Sequence, residues 1–287
     1  MAPRNDASDD ACYALVPDVD RLMRGRRQNI RRGIPARAVA PNAVTALALC
    51  SGLTGVRFAI AGDWEKALIA IAIAGVLDGL DGRIARLLKG ESRFGAELDS
   101  LSDVIAFGVS PAIIMFLWSL NEIPRFGWIF ALGYAVCAAL RLARFNASID
   151  TAEHPRKAAG FLTGVPAPLG AGLMLVPVAM WLWSDLWWFR DPYFICGWAA
   201  LVGCLMISDI ATYSWSSVHI SRAWRLPALL LVAMLGAALF NAPWHTLSVF
   251  MLGYLATVPF SAASYRRVRR RRATPAPAAP ADPEPAE

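Results

Sequence analysis

The sequence predicts an all-α fold, a polytopic membrane bundle of about eight transmembrane helices. Of its 287 residues, 56% are hydrophobic and only 17% are charged, which is unusual for a soluble domain. Apolar stretches near the length of roughly 20 residues that a helix needs to cross a bilayer recur along most of the chain. Short polar or charged turns separate these stretches, as expected for consecutive membrane spans.

The apolar stretches define a transmembrane domain over residues 41–265. The preceding polar segment has no apolar core of the signal-peptide type, so we expect the first helix to remain in the membrane. The predicted spans are residues 42–61, 65–88, 98–120, 126–145, 160–183, 193–213, 226–240 and 246–264.

Lysine and arginine are distributed unevenly between the turns. One side of the membrane carries the arginines before the first span, the lysines and arginines of every second turn, and the basic run at 266–272. The other side carries only Lys66, Arg125 and Arg190. Basic residues resist translocation, so this pattern predicts that both termini are cytoplasmic, and we expect a bacterial inner membrane. The net charge of +6 is explained by this bias and by attraction to anionic lipids, so no nucleic-acid partner is predicted.

Both ends of the chain differ from the apolar domain. Residues 1–40 form a cytoplasmic arm, either unstructured or with a short amphipathic helix on the membrane surface. Residues 266–287 are a basic run followed by a Pro- and Ala-rich tail that we expect to be disordered. The cysteines show no paired or metal-binding spacing, and no disulfide is predicted.

Four aspartates lie within or at the ends of the second and third spans. They are Asp78, Asp81, Asp99 and Asp103. A charged residue at the centre of a membrane helix costs on the order of 3 kcal/mol, so such residues are candidates for function. Helical spacing places each pair on one face of its helix, and the short link between the spans makes the helices antiparallel neighbours. We therefore predict that all four carboxylates face one cavity near the cytoplasmic surface.

This acidic cluster predicts a metal and phosphate site. Carboxylates so close together repel one another unless cations neutralise them, and oxygen ligands suit Mg²⁺ or Mn²⁺. Gly82, Ala85 and Gly95 share the same faces and leave room for a phosphate, and Arg86 offers it a bidentate donor. The alternatives are helix packing by the small residues, ion pairs with Arg83 or Arg86, and a cation-coupled transporter, which also uses intramembrane acids.

The spacing of these residues resembles the signature of the CDP-alcohol phosphatidyltransferase family. The pattern reads Asp78-x2-Asp81-Gly82-x2-Ala85-Arg86-x8-Gly95-x3-Asp99-x3-Asp103. The resemblance implies a helical membrane fold in which Asp78, Asp81 and Asp99 hold two divalent ions at the diphosphate of the substrate. It also implies that Asp103 is the general base and contacts a metal.

Further segments resemble the family members that use L-serine as acceptor. They are residues 41–45, 140–146, 164–168 and 205–214, and the resemblance covers residues 41–217. One departure is that Ser216 and Ser217 stand where a basic residue is expected. The resemblance implies CDP-diacylglycerol and L-serine as substrates, surrounding membrane lipids, and a homodimer.

The same resemblance assigns roles outside the acidic cluster. It places Asn42 and Thr45 at the CDP group, and Arg141, Arg144 and Asn146 at the acceptor or a lipid headgroup. Anchoring of the membrane edge by the two arginines is the alternative. Glycerol-3-phosphate or an inositol phosphate remains open as the acceptor, because charge alone does not select among them.

Overall fold

The computed structural model describes residues 36–88, 90, 92–149, 161–208, 211–213 and 225–273, which are almost entirely helical. The α-helices are α1 Ala36–Ile60, α2 Trp64–Leu88, α3 Arg93–Asp103, α4 Ser110–Trp118, α5 Pro124–Ile149, α6 Ala167–Met174, α7 Val176–Ser184, α8 Pro192–Ile207, α9 Arg225–Asn241 and α10 Pro243–Ala273. A π-helical turn, Val104–Val109, joins α3 to α4, and short 3-10 turns lie at Leu120–Glu122 and Trp187–Arg190. The predicted fold class, a polytopic helical membrane protein, is confirmed.

Each predicted span corresponds to one helical segment of the structure. Among the described residues, four segments are long and apolar enough to cross a bilayer by themselves: Val39–Ile60, Arg93–Trp118, Arg125–Ala147 and Ala167–Ser184. Helices α8 and α9 are apolar but shorter. Helix α2 falls outside this set, and it is the helix that contributes Asp78 and Asp81. Its charged residues, which include these two acids, exclude it from the set, although it has the length of a span.

The predicted fifth span begins too early and the predicted sixth span ends too late. Helix α6 begins at Ala167 rather than at residue 160, and α8 ends at Ile207 rather than at residue 213. In their place, β1 (Phe161–Thr163) pairs antiparallel with β2 (Ala211–Tyr213). Gly164 then has a φ of +72°, and a Cβ there would lie 2.8 Å from the Met206 carbonyl oxygen. Hydropathy alone does not separate a short apolar strand from a helix end, which explains the error.

The hydrophobic core lies where α4, α5, α6, α7 and α8 meet. Its largest fully buried side chains include Phe107, Trp118, Tyr134, Leu173 and Ile195. Large apolar side chains also remain exposed along the outer faces of α1, α2 and α5, and around α9. In water such surfaces would be costly, so this exposure agrees with a lipid environment.

The π-helical turn directly follows Asp103 and is tightly packed. The Tyr134 hydroxyl donates a 2.9 Å hydrogen bond to the Phe107 carbonyl, and the Ser110 hydroxyl donates one of 2.9 Å to the Ile105 carbonyl. A Cβ on Gly52 of α1 would lie 2.8 Å from the Ala106 Cα. Hydrogen bonds from Tyr134 and Ser110 thus satisfy two carbonyl groups of the turn. The turn also packs closely against α1, next to the end of α3.

Helix α10 packs against the helices that form the core. The Met251 side chain fills the space where a Cβ on Gly172 of α6 would stand. The helix continues to Ala273, so the basic run at 266–272 belongs to it. The predicted amphipathic segment before Ala36 and the predicted disordered tail after residue 273 lie outside the described residues.

Candidate active site

Helix α1 forms the common support of the two acid-bearing helices. It packs along α2 and also against α3, whereas α2 and α3 approach each other less closely. The acids of α2 and α3 therefore face each other across a space that α1 closes on one side. This differs from the expected direct pairing of the two helices, but it brings the same side chains together.

Three of the four aspartates form a compact cluster. One carboxylate oxygen from each of Asp78, Asp99 and Asp103 lies within 4.8 Å of the others, and all three side chains are half-buried. A set of carboxylate oxygens at this spacing is the kind that hard divalent cations prefer. The cluster can therefore hold a metal ion, as the sequence predicts for these three residues.

The fourth aspartate, Asp81, stands beside this cluster and is held by α1. The Thr45 hydroxyl donates a 2.8 Å hydrogen bond to Asp81 Oδ2. The Ser102 hydroxyl on α3 donates a 3.2 Å hydrogen bond to the Thr45 carbonyl. All three side chains are buried, so a short chain of polar groups connects α3, α1 and α2.

A cavity of about 220 Å³ opens next to these acids. Its lining includes Asp81, Asp99 and five of the six residues predicted to contact the CDP group. The lining residues are Pro41, Asn42, Thr45, Asp81, Gly82, Ala85, Gly90, Ser92, Gly95, Ala96 and Asp99. The predicted phosphate-binding motif thus lines a real cavity, with α1 contributing one wall.

Arg86 is the predicted phosphate-binding residue that does not line the cavity. Its side chain is exposed, and its Nε donates a 3.0 Å hydrogen bond to the Gly82 carbonyl one turn earlier. No ion pair joins Arg83 or Arg86 to any of the four aspartates in the part of the chain that the structure describes. The described side chains therefore do not form the ion pairs that were the alternative explanation for the acids.

The two glycines of the motif have different surroundings. A Cβ on Gly82 would meet no atom of the described residues within 4 Å, so the space that they leave in front of it is open. A Cβ on Gly95 would lie 2.7 Å from Asn42 Oδ1 and 3.1 Å from Ser92 Oγ. Gly95 therefore lines the cavity with Asn42 and Ser92 packed close to it, and its contact with a phosphate stays a prediction.

The predicted acceptor residues lie at the end of α5. Arg141 is near enough to Asp103 for the two charges to attract each other, and its Nε is buried with no hydrogen-bond partner among the described residues. The Asn146 amide donates a 2.8 Å hydrogen bond to the Ser100 hydroxyl. Arg144 Nη2 lies 3.5 Å from the Ser208 carbonyl oxygen. Arg141 is thus linked to the acids, whereas the other two connect α5 with α3 and α8.

Sequence reasoning missed Ser92 and the hydrogen-bond partner of Ser102. Ser92 caps α3 by accepting a 3.0 Å hydrogen bond from the Gly95 amide, and a serine directly before the first residue of a helix is a recognisable capping signal. Ser102 lies one turn after Asp99, on the same face of α3. Its helical position was readable from the sequence, but its partner on α1 was not.

The fold and the site together define a multi-pass helical membrane protein with an acidic, oxygen-rich centre beside a cavity. Residues 38–206 match the family model described as CDP-alcohol phosphatidyltransferase. Residues 223–259 match a second model, CDP-alcohol phosphatidyltransferase 2. The first match spans more than half of the chain, and the chain belongs to the CDP-alcohol phosphatidyltransferase family. The resemblance read from the aspartate motif is confirmed.

Curated relatives cover most of the chain. A Mycobacterium tuberculosis protein is 37% identical over 236 residues, which are 82% of each chain. A Mycobacterium leprae protein is 38% identical over 223 residues, 78% of this chain and 74% of the relative. A Helicobacter pylori protein is 34% identical over 218 residues, 75% of this chain and 87% of the relative. All three relatives are named CDP-diacylglycerol–serine O-phosphatidyltransferase.

Proposed function

We propose that this protein transfers the phosphatidyl group of CDP-diacylglycerol to L-serine, giving phosphatidylserine and CMP. The observation that carries the proposal is the cluster of Asp78, Asp99 and Asp103 within 4.8 Å, next to the cavity lined by the family motif. The names of the similar relatives support serine as the acceptor. The proposal includes a bacterial inner-membrane location with both termini cytoplasmic, and the homodimer that the family resemblance implies.

The acidic cluster would hold divalent cations, Mg²⁺ or Mn²⁺. Asp78, Asp99 and Asp103 supply the closely spaced oxygens, and Asp81 adds a fourth carboxylate beside them in a proposed two-ion site. When bound there, such a cation would supply positive charge that stabilises the phosphate groups of the substrate during transfer. Since the donors are all carboxylate oxygens, the ligand set suits these hard ions better than softer metals.

The cavity would hold the CDP group between α1, α2 and α3. The open space at Gly82 lets a diphosphate approach the backbone of α2 closely. Asn42, whose Oδ1 packs close to Gly95, presents an amide with both donor and acceptor atoms at the wall. The acyl chains of the substrate would remain in the lipid that surrounds the exposed apolar faces of α1 and α2.

Asp103 would act as the general base, a role that a carboxylate in reach of the acceptor hydroxyl can perform. Its carboxylate takes the proton from the serine hydroxyl as that oxygen attacks the phosphorus that bears the diacylglycerol. The new P–O bond forms as the bond to CMP breaks. Arg141 interacts electrostatically with Asp103, and its buried Nε has no partner among the described residues. It would bind the serine carboxylate, and Arg144 and Asn146 would complete the acceptor side.

The direct test is release of labelled CMP from CDP-diacylglycerol by the purified protein in detergent with Mn²⁺ or Mg²⁺. L-serine, glycerol-3-phosphate and inositol phosphate are compared as acceptors. We expect release with serine alone, loss of release on chelation by EDTA, and recovery when either cation is restored. Asp103→Asn should reduce the rate by about 10³-fold or more, because the base is lost.

Asp63→Asn is the matched control, because it makes the same chemical change outside the site. Asp63 is exposed in the turn between α1 and α2 and pairs with Lys66 at 2.7 Å. We expect its rate to equal that of the unmodified protein. Release that requires a different acceptor would overturn the serine assignment and keep the family activity, whereas no release with any acceptor in folded protein would contradict both.

A further inference from the structure

We propose that Thr45 and Ser102 are positioning residues that fix Asp81 at the cavity wall. This inference rests on the proposed metal role of the acidic cluster. The Ser102 hydroxyl on α3 binds the Thr45 carbonyl on α1, and the Thr45 hydroxyl binds Asp81 on α2. For Thr45 this is a role different from direct contact with CDP, and Ser102 stands outside the family motif.

The three residues of this arrangement are largely buried by protein, and Thr45 and Asp81 also reach the wall of the cavity. Thr45 is 5% exposed, Asp81 6% and Ser102 3%, among the few polar side chains buried to this degree in the described part of the chain. A buried polar group without a hydrogen bond is costly, and a buried carboxylate more so. Each of the two bonds therefore constrains its partner more strongly than a surface bond of the same length.

The single Thr45 proton has two acceptors within reach. Asp81 Oδ2 lies 2.8 Å from Thr45 Oγ1, and the Pro41 carbonyl oxygen one helical turn earlier lies 3.1 Å away. The carboxylate is the nearer acceptor and the charged one, and hydrogen bonds to charged groups are about twice as strong as neutral ones. The hydroxyl is thus directed to α2, and the bond within α1 is the weaker alternative.

The position of Thr45 connects Asp81 to the other acids. Ser102 stands between Asp99 and Asp103 on α3, so its bond to the Thr45 carbonyl sets α3 against α1 at the level of the cluster. Thr45 then sets Asp81 of α2 against the same point. Because α2 and α3 approach each other less closely than either approaches α1, this connection fixes the spacing between Asp81 and the three clustered aspartates.

The test measures cation binding without turnover. The purified full-length protein in detergent is titrated with Mn²⁺, and the concentration that gives half of the maximal rise in melting temperature is recorded. Thr45→Val preserves the shape of the side chain and removes its hydroxyl, and Thr45→Ser keeps the hydroxyl. We expect Thr45→Val to raise the half-maximal Mn²⁺ concentration by about tenfold, as loss of a hydrogen bond to a charged group implies, and Thr45→Ser to remain within about twofold of the unmodified protein.

Ser102→Ala removes the second bond, and Ser110→Ala is its matched control. Ser110 is also a fully buried serine, but its hydroxyl binds the Ile105 carbonyl of the same helical segment. We expect Ser102→Ala to raise the half-maximal Mn²⁺ concentration by about threefold, a neutral bond being weaker. Ser110→Ala should lower the melting temperature without cations and leave the Mn²⁺ dependence unchanged.

Equal shifts for Thr45→Val and Thr45→Ser would overturn the proposal, as would equal shifts for Ser102→Ala and Ser110→Ala. Absence of any Mn²⁺ effect on the unmodified protein would also overturn it. If Thr45→Val does not melt cooperatively, the comparison of the two serine variants decides the question. Absence of phosphatidyl transfer with these shifts intact would reject the proposed reaction and leave the positioning role standing.

Discussion

Asn42 Oδ1 lies 2.7 Å from the point that a Cβ on Gly95 would occupy. The side chain of α1 thus rests directly on the backbone of α3, at the wall of the cavity. A distance below 3.0 Å requires one of the two groups to move if a methyl group is added, and Ser92 at 3.1 Å limits the space on the other side. Glycine at position 95 therefore determines where Asn42 stands.

Gly95→Ala should displace Asn42 and reduce serine-dependent CMP release by about tenfold to a hundredfold, since small misplacements at an active site are costly. The rate of CMP release at saturating serine measures the effect. Gly79→Ala, on α2 and with nothing within 4 Å of its Cβ, is the control. A full rate for Gly95→Ala would show that the position of Asn42 does not matter to the reaction.

Gly82→Ala should act on substrate binding rather than on packing. Its Cβ would meet no atom within 4 Å in the described part of the chain, so the methyl group would project into the cavity that we assign to CDP. We expect the KM for CDP-diacylglycerol to rise by about tenfold, the loss of close backbone approach being worth on the order of 1.4 kcal/mol. The melting temperature should stay within a degree or two of the unmodified protein. An unchanged KM would contradict the placement of the diphosphate next to Gly82.

Gly52→Ala should destabilise the protein, because its Cβ would lie 2.8 Å from the Ala106 Cα and 2.9 Å from its Cβ. Both obstructing atoms belong to the rigid π-helical turn. Such overpacking costs about 1–3 kcal/mol. Thermal unfolding in detergent measures it, with Gly253→Ala of α10 as the control, since its Cβ would meet nothing within 4 Å. Equal melting temperatures for the two variants would contradict this account.

Tyr134→Phe should lower stability by about 1–3 kcal/mol, because it leaves the buried Phe107 carbonyl without the 2.9 Å hydrogen bond from the tyrosine hydroxyl. The measurement is the midpoint of thermal unfolding. Tyr193→Phe provides the comparison, since Tyr193 is 73% exposed and loses no buried partner. A Tyr134→Phe variant as stable as Tyr193→Phe would show that the π-helical turn does not need this bond.

Arg141→Lys should weaken serine binding while leaving the binding of CDP-diacylglycerol largely intact. Lysine keeps the charge near Asp103 but loses the planar, two-pronged geometry that suits a carboxylate. We expect the KM for serine to rise by about tenfold or more, with less than a threefold change for CDP-diacylglycerol. Steady-state kinetics with each substrate varied in turn measures both. A change confined to CDP-diacylglycerol would place Arg141 on the nucleotide side.

Most of the acidic site could be predicted because helical spacing is a local property. The intervals between Asp78 and Asp81 and between Asp99 and Asp103 fix a face of each helix, whatever the neighbouring helices do. Two such faces joined by a short link leave few ways to arrange the carboxylates. The cluster of Asp78, Asp99 and Asp103 follows from these constraints, and the motif residues around the cavity follow with it.

The remaining features depend on contacts that no local pattern contains. The bond from Thr45 to Asp81 requires the packing of α1 on α2, and the filling of the space at Gly95 requires the rotation of α1 about its axis. The π-helical turn at Val104–Val109 consists of ordinary apolar residues and glycine. The strands at Phe161–Thr163 and Ala211–Tyr213 pair only because α6 and α8 bring them together.

Met251 and Gly172 have a consequence for the modularity of the chain. The two residues belong to regions matched by two separate family models, 38–206 and 223–259, which suggests an attachable C-terminal unit. However, the Met251 side chain occupies the space that a side chain at position 172 would need. The first region therefore has a glycine at the point where the second region packs against it. Helix α10 is thus part of the packed core of the enzyme, and replacement of this C-terminal region would also require a change around Gly172.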